Sequence, residues 1–165
     1  MQKEGQVRIP SGCAISAVIS REGRKMTGAA MAESMRPMHD RSNGLGGGFA
    51  GYGIYPEYRD LYAFHIFFQG KADKQACEAF LKEGFEICKA EPMPIRKIPE
   101  ITDVPLIYRY FAAPLQSVLS RLQLDEKEYV ARTVMRINRE IQGAYVFSSG
   151  KNMGVFKAVG FPEDV

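Results

Sequence analysis

Cysteine is scarce in this 165-residue chain, and tryptophan is absent. The three cysteines, Cys13, Cys77 and Cys88, form no CxxC pair, and their odd number argues against a disulfide framework or a structural zinc site. No apolar run approaches the roughly 20 residues that span a bilayer. The first twelve residues, MQKEGQVRIPSG, lack the apolar centre of a secretory signal peptide. We therefore expect a cytoplasmic protein without a membrane partner.

A large charge of either sign is also missing. The formal net charge is +3, so nucleic acid is not an expected partner. Hydrophobic residues make up 45% of the chain and charged residues 25%, which is ordinary for a folded globular protein and argues against disorder. The length favours one domain, or one domain with a small appendage. Because neither metal-ligand spacing nor a phosphate-binding glycine motif is present, we expect no metal and no cofactor.

The N-terminal residues predict a leader followed by a strand. Residues 1–12 are polar and contain Gly and Pro breakers, which predicts an extended leader. The run CAISAVIS, from Cys13 to Ser20, consists of small and β-branched residues between two turn signals. This pattern predicts a buried strand.

A helix and a glycine-rich loop follow. Thr27 is the predicted cap of a helix that Pro37 ends near Met35. A methionine stripe on this helix is expected to pack in the core, since flexible side chains fill irregular gaps; its members are Met31, Met35 and Met38. Six glycines lie between Gly44 and Gly53. We expect a loop or a bulged strand there, with the backbone close to a neighbour.

The remaining residues, 60–165, predict a β-α-β-α-β-β unit, with the helices on one face of a sheet in an α+β fold. The predicted strands are residues 61–69, residues 106–114, and GAYVFSS and MGVFKAVGF, which form a hairpin across the turn 150–152. One helix runs from Asp73 to about Cys88, and the other starts at the Asp125-x-x-Glu128 cap. The proline-rich AEPMPIRKIPEITDVP is predicted to be a linker, and SVLSRLQL a turn or short helix.

Several polar or reactive side chains have a structural explanation. His65 lies among aromatic residues and is expected to be a core or surface residue rather than a catalyst. His39 precedes the glycine-rich loop, where a binding role and a structural role are equally supported. Three arginines on the last helix favour a solvated basic face over an anion site; they are Arg132, Arg136 and Arg139. The helical positions of Cys77 and Cys88 predict inert, buried thiols.

Cys13 has two interpretations. A cysteine in a short apolar strand is usually a small buried hydrophobe. Removal of residues 1–12 would instead give Cys13 a free α-amino group, whose ordinary pKa is about 7.7–8.0. That amine can take the thiol proton, so one residue would supply both nucleophile and base. No histidine partner is then needed, which suits a chain that has two histidines.

Three stretches resemble the class II (N-terminal nucleophile) glutamine amidotransferase domain of archaeal-type glutamate synthases; they are SGCAISAVIS, MHDRSNGLGGGFAGYGIYPEYRDLYAFHIFF and INREIQGAYVFSSGKNMGVFKAVGFPEDV. The resemblance covers nearly the whole chain and implies a partial Ntn-hydrolase-like layering of sheet and helices. It implies that residues 1–12 are a propeptide and that residues 13–165 are an amidotransferase-like domain, with the nucleophile strand, helix and glycine-rich loop in 13–59.

The same resemblance implies an activity. Cys13 would attack the side-chain amide of glutamine, form a thioester and release ammonia to a glutamate synthase domain or subunit, without a cofactor. The candidate substrate-binding residues lie beside the glycine-rich loop; they are Arg41, Asn43 and Gly44.

The chain departs from that family in the motifs that complete the active site. The carboxylate-gripping His-x-Arg-Phe-Pro-Thr motif is absent, and YRYFAA around Arg109 matches it only in part. Asn43-Gly44 is an Asn-Gly pair, like the family's oxyanion pair, but belongs to the glycine-rich loop. We expect both motifs beyond Val165, so these residues would be part of a longer domain and a poor glutaminase alone. The alternative is a non-catalytic module in 60–165 that binds a small effector or a partner subunit.

Overall fold

A computed structural model of the chain describes residues 12–42, 44–96, 99 and 102–161. The chain divides into two compact units. The split unit consists of Met1–Ala50 and Phe156–Val165, and the inserted unit consists of Gly51–Val155. The inserted unit therefore interrupts the sequence of the split unit.

The described residues form four helices and two antiparallel sheets, which confirms the α+β class. The helices are α1 (Ala29–Met35), α2 (Lys71–Lys82), α3 (Gln116–Leu122) and α4 (Glu126–Glu140), with 3-10 turns at Arg36–Arg41 and Pro56–Tyr58. The strands are β1 (Gly47–Tyr52), β2 (Tyr62–Phe68), β3 (Phe85–Pro92), β4 (Leu106–Pro114), β5 (Ala144–Lys151) and β6 (Met153–Ala158).

A four-stranded antiparallel sheet forms the centre of the inserted unit. Its strand order is β3-β4-β2-β5, and the chain visits it as β2-α2-β3-β4-α4-β5. This is the split β-α-β arrangement of ferredoxin-like domains. Alternate residues of β2 face the helices, because successive strand side chains point to opposite faces. The resulting core joins β2 to α2 and α4; its fully buried members include Phe64, Ile66, Phe68, Leu81 and Ile137.

Both edge strands of this sheet carry features that hinder pairing with a further strand. The side chain of Asn138 on α4 accepts a hydrogen bond from the Val146 amide at 2.7 Å and donates one to the Val146 carbonyl at 3.1 Å. These two bonds occupy part of the outer edge of β5. The other edge strand, β3, carries a register shift between Ile87 and Lys89 and ends at Pro92. Irregularity, charge and proline are common protections of exposed edges.

The glycine-rich segment forms β1, which pairs with β6 in a two-stranded sheet. A β-carbon at Gly46 would lie 2.9 Å from the carbonyl oxygen of Ala158, and one at Gly48 would lie 2.9 Å from that of Phe156. Both distances are too short for any side chain. The prediction of a strand with close backbone approach is therefore confirmed, and the glycines are there because the partner strand leaves no room.

Other predictions about the split unit are wrong. Cys13–Ser20 belongs to no helix or strand among the described residues. The cap of α1 is Gly28 rather than Thr27, although the helix ends at Met35 as expected. This helix has no buried residue, so the methionine stripe is half-buried rather than part of a closed core. Pro37 lies in the first turn of the 3-10 segment that directly follows the helix, a position that suits proline.

The predicted β-α-β-α-β-β order is also wrong. Helix α2 stops at Lys82, and β3 occupies residues assigned to the helix end and linker. Gly84 lies between the end of α2 and the start of β3, at a position where a β-carbon would overlap the Tyr129 hydroxyl. The final hairpin is absent because β5 pairs with β2 whereas β6 pairs with β1. Asn152, with φ of 50°, turns the chain from one sheet to the other.

Candidate functional site

Cys13, the predicted nucleophile, has an exposed side chain in the split unit. Its apolar neighbours are exposed as well: Ile15 is 95% and Ile19 is 87% accessible. The interpretation of Cys13 as a buried hydrophobe is therefore wrong. The thiol is available to a reagent or a substrate from solvent.

Two contacts hold the segment around Cys13. The hydroxyl oxygens of Ser16 and Ser34 lie 2.9 Å apart, and the Ser34 hydroxyl donates to the Met31 carbonyl at 2.8 Å, which attaches the segment to α1. A β-carbon on Gly12 would lie 3.5 Å from the carbonyl oxygen of Arg41. The peptide bond before Cys13 thus lies near the backbone of one predicted substrate-binding residue.

The other candidates around the glycine-rich loop are only partly brought together. Gly44 has φ of +73° and packs on the ring of Phe161, where a β-carbon would lie 3.0 Å from the ring. His39 stacks on the same ring with 4.3 Å between centroids. Arg41 is exposed at the end of the 3-10 turn. Asn43 lies outside the described residues.

A polar network lies on the helix-free face of the sheet in the inserted unit, where sequence reasoning placed no site. The His65 network consists of Tyr55, His65, Glu91 and Arg109. The Tyr55 hydroxyl lies 2.9 Å from Nε2 of His65 and accepts from Nη1 of Arg109 at 3.1 Å. Arg109 also donates from Nε to Glu91 at 3.0 Å, with a second bond from Nη2. Its guanidinium lies 4.7 Å from the Tyr55 ring centroid, within cation–π range.

These donors and acceptors assign the proton positions in the network. Arginine can only donate, so the Tyr55 oxygen accepts from Arg109. The Tyr55 proton has no other acceptor among the described residues than Nε2 of His65. The tyrosine therefore donates to a neutral imidazole that carries its proton on Nδ1.

Burial and charge keep His65 neutral. The residue is fully buried, and burial together with the nearby guanidinium of Arg109 lowers the pKa of its imidazole to about 4. Hydrogen bonds from Lys89 and Arg109 hold the pKa of Glu91 below its ordinary value. At neutral pH the network therefore contains a neutral histidine beside an intact ion pair, and the buried imidazole is not available as a solvent-facing general base.

Two backbone segments meet at the network. The Gly53 amide donates to the Asn152 carbonyl at 2.7 Å, and the Tyr55 amide donates to Oδ1 of Asn152 at 2.8 Å. Gly154 closes over the ring, because a β-carbon there would lie 2.7 Å from Cε1 of His65 and 2.8 Å from the Tyr55 oxygen. The network thus joins the residues that follow β1 to those that begin β6.

Other sequence interpretations meet different outcomes. The expectation that His65 is a core residue is confirmed, and Arg109, the partial match to a carboxylate clamp, binds Glu91 and Tyr55 instead.

Arg132 and Arg136 pair with glutamates one turn away, as expected of a solvated face. Cys77 is buried as predicted, and burial raises the pKa of its thiol to about 12. The prediction for Cys88 is wrong because it lies exposed on β3.

The described ranges contain neither a metal-binding cluster nor a membrane-spanning helix. There, no group of three or more His, Cys, Asp or Glu side chains is placed to hold a metal ion. Likewise, none of the helices that the structure describes has the length and apolar character needed to cross a bilayer.

Comparison with known proteins gives a relative but no function. No protein-family model matches the chain. A protein of Archaeoglobus fulgidus, described as an uncharacterized protein, is 45% identical over 155 residues. The aligned part is 93% of this chain and 41% of the relative, so the chain spans about two fifths of the length of the curated protein that it matches.

Proposed function

We propose that this chain belongs to a glutamine amidotransferase of the N-terminal nucleophile class, with Cys13 as the nucleophile and residues 1–12 as a propeptide. The observation that carries the proposal is the exposed thiol of Cys13 on a segment attached to α1. The resemblance of three separate stretches to archaeal-type glutamate synthase amidotransferase domains supports it. On this proposal the split unit is part of an Ntn-hydrolase-like layered domain in a cytoplasmic protein.

The chemistry uses one residue in two roles. After propeptide removal, the α-amine of Cys13 takes the thiol proton, and the thiolate attacks the carboxamide carbon of glutamine. In the tetrahedral intermediate, the amide nitrogen takes this proton from the α-ammonium group and leaves as ammonia, so that a thioester remains. Water then hydrolyses the thioester to glutamate and regenerates the thiol. The reaction needs no cofactor, and the ammonia is passed to a synthase domain or subunit.

The split unit supplies only part of the required environment. One missing oxyanion donor costs about 3 kcal/mol of transition-state stabilisation, and the chain lacks the family's arginine motif. We therefore expect trapping of the nucleophile to be easier to detect than turnover. Arg41 and Gly44 stay candidate substrate contacts, since Gly12 lies beside the backbone of Arg41.

A covalent glutamine analogue tests the proposal. The chain is released from residues 1–12, and 2-cyanobenzothiazole confirms the free N-terminal cysteine, because it condenses with a 1,2-aminothiol and not with an internal thiol. A diazoketone analogue of glutamine should then add once, as measured by intact mass, with excess L-glutamine protecting. Cys13→Ser should abolish the adduct, and Cys88→Ser, which removes the other exposed thiol, should leave it.

Two results would contradict the nucleophile assignment. One is that the glutamine analogue labels Cys13 and Cys88 at equal rates. Iodoacetamide, a non-selective thiol reagent, is expected to give that pattern because both thiols are exposed. The other is an adduct that L-glutamine does not suppress. Either result would favour a non-catalytic module, an alternative supported by the compact inserted unit with its own core. A small effector or partner would then raise the melting temperature of the chain without any covalent reaction.

A further inference from the structure

The His65 network connects two segments of the inserted unit, residues 53–55 and residues 152–154. These segments are far apart in sequence, yet Asn152 binds the amides of Gly53 and Tyr55, and Gly154 lies against the His65 ring and the Tyr55 hydroxyl. Neither segment contributes a residue to the main core of helices and sheet. Tyr55 packs against Ala63 and Phe111 in a second, smaller apolar cluster. The attachment of the two segments to the sheet therefore depends on this cluster, on the few polar contacts of the network and on the packing around one imidazole.

The hydrogen-bond directions make that attachment sensitive to one proton. The Tyr55 hydroxyl donates to Nε2 of His65 while it accepts from Arg109. A proton on Nε2 would turn this acceptor into a donor and leave the Tyr55 proton without its partner. It would also place an imidazolium next to a guanidinium in a site without solvent access, where like charges repel strongly.

The described groups that face His65 are an arginine, a tyrosine, a phenylalanine, a serine and a glycine. Arg109 faces it from β4, and Tyr55 faces it from the segment before the second 3-10 turn. On β5, the ring of Phe147 stacks on the His65 ring with 5.8 Å between centroids, and Ser148 lies directly opposite His65 in the sheet. Gly154 lies over the ring from β6. The Glu91 carboxylate of β3 binds Arg109 and Lys89.

We propose that the His65 network is an acid-released latch. When His65 takes up a proton, residues 53–55 and 152–154 detach from the sheet, while the core between the sheet and its helices stays folded. The device belongs to the inserted unit and does not depend on the amidotransferase proposal. It would change the ends of β1 and β6, since these strands end and begin at the latch.

The expected size of the effect follows from proton linkage. The open latch exposes His65, whose ordinary pKa is 6.5, whereas the pKa of the closed form is about 4. The free energy that favours the closed form over the open form has its full value above pH 6.5. It decreases as pH falls toward 4, because in this range the open form binds a proton and the closed form does not. The opening constant should therefore rise on the order of 100-fold between pH 7 and pH 4.

Amide hydrogen exchange of the full chain measures this opening. The reporters are the Gly53 and Tyr55 amides, which donate to Asn152, and the reference is the Gln69 amide, which donates to Gly143 at 2.8 Å. Protection factors, corrected for intrinsic exchange, should fall on the order of 100-fold at both reporters between pH 7 and pH 4. The Gln69 amide should change much less.

Two variants separate the latch from general acid weakening. His65→Gln keeps a polar acceptor but removes the titration, so the reporters should lose their pH dependence. Tyr55→Phe keeps His65 but removes the hydroxyl, so protection should fall at pH 7 while the pH dependence stays. Equal loss of protection at Gly53, Tyr55 and Gln69 in the parent, or reporters insensitive to pH, would overturn the proposal. If His65→Gln does not fold, the comparison of the Gly53 and Tyr55 amides with the Gln69 amide in the parent chain decides whether the latch exists.

Discussion

Gly154 provides a sharp test of the packing around His65. Alanine there would place its β-carbon 2.7 Å from Cε1 of His65, 2.8 Å from the Tyr55 oxygen and 3.1 Å from Cδ1 of Ile54. The first two distances are shorter than any normal contact, and the groups that would have to move are buried and hydrogen-bonded. Overpacking of this kind costs about 1–3 kcal/mol.

The assay is urea unfolding of the full chain followed by far-UV circular dichroism. With a slope of about 1–3 kcal/mol per molar urea, a loss of about 2 kcal/mol lowers the midpoint by about 1 M. Gly70→Ala is the matched control in the same unit, since its β-carbon would lie 3.4 Å from Asp73 and its φ is −153°. We expect its free energy of unfolding to stay within about 0.5 kcal/mol of the parent, because the loss of a glycine cap and the reduced unfolded-state entropy oppose each other.

A double variant tests whether the Tyr55 hydroxyl oxygen causes the loss of stability in Gly154→Ala. Tyr55→Phe removes the hydroxyl that the new methyl group would meet, so Gly154→Ala should cost less in that background than in the parent. A midpoint for Gly154→Ala equal to that of Gly70→Ala would refute the close packing at His65. Strict additivity of the two substitutions would refute the role of the Tyr55 oxygen.

Three further changes test the rest of the inserted unit. Asp125→Ala removes the side chain that caps α4 and should lower the free energy of unfolding by about 1 kcal/mol in thermal melts. Asn138→Ala leaves the buried Val146 without its side-chain partner, and should cost about 1–3 kcal/mol and increase self-association in light scattering, because the β5 edge is opened. Ile137→Ala empties a fully buried position and should cost about 2–5 kcal/mol in urea, whereas Met135→Ala, at a 71% exposed position, should change little.

Local sequence signals predicted the elements that depend on local interactions. The Asp125-x-x-Glu128 signal marks the start of α4, since the Asp125 side chain accepts from the Glu128 amide at 2.9 Å. Strands β2 and β4 were predicted from runs that the structure buries on both faces. Strand β3 was missed because its more buried face continues from Phe85 and Ile87 to the charged Lys89 and Glu91, so the run lacks the apolar alternation that predicts a strand.

Elements that depend on distant partners were predicted less well. The run from Cys13 to Ser20 has the composition of a strand, but composition provides no partner strand, and its side chains are largely exposed. The proposed role of Cys13 comes from its residue type and from the family resemblance of the surrounding sequence. The His65 network could not be inferred in this way, since it joins four residues whose sequence separation reaches 54 positions.

Sheet register explains why these four residues meet. His65 lies directly opposite Arg109, and Arg109 lies directly opposite Glu91, so three polar side chains share the helix-free face. A shift of one residue in β4 would turn Arg109 toward the helices, where Tyr110 and Phe64 are now fully buried. An unpaired guanidinium in that core would cost several kcal/mol. The network therefore selects one register of the central strands, and this register in turn places the imidazole where Tyr55 and Gly154 can close over it.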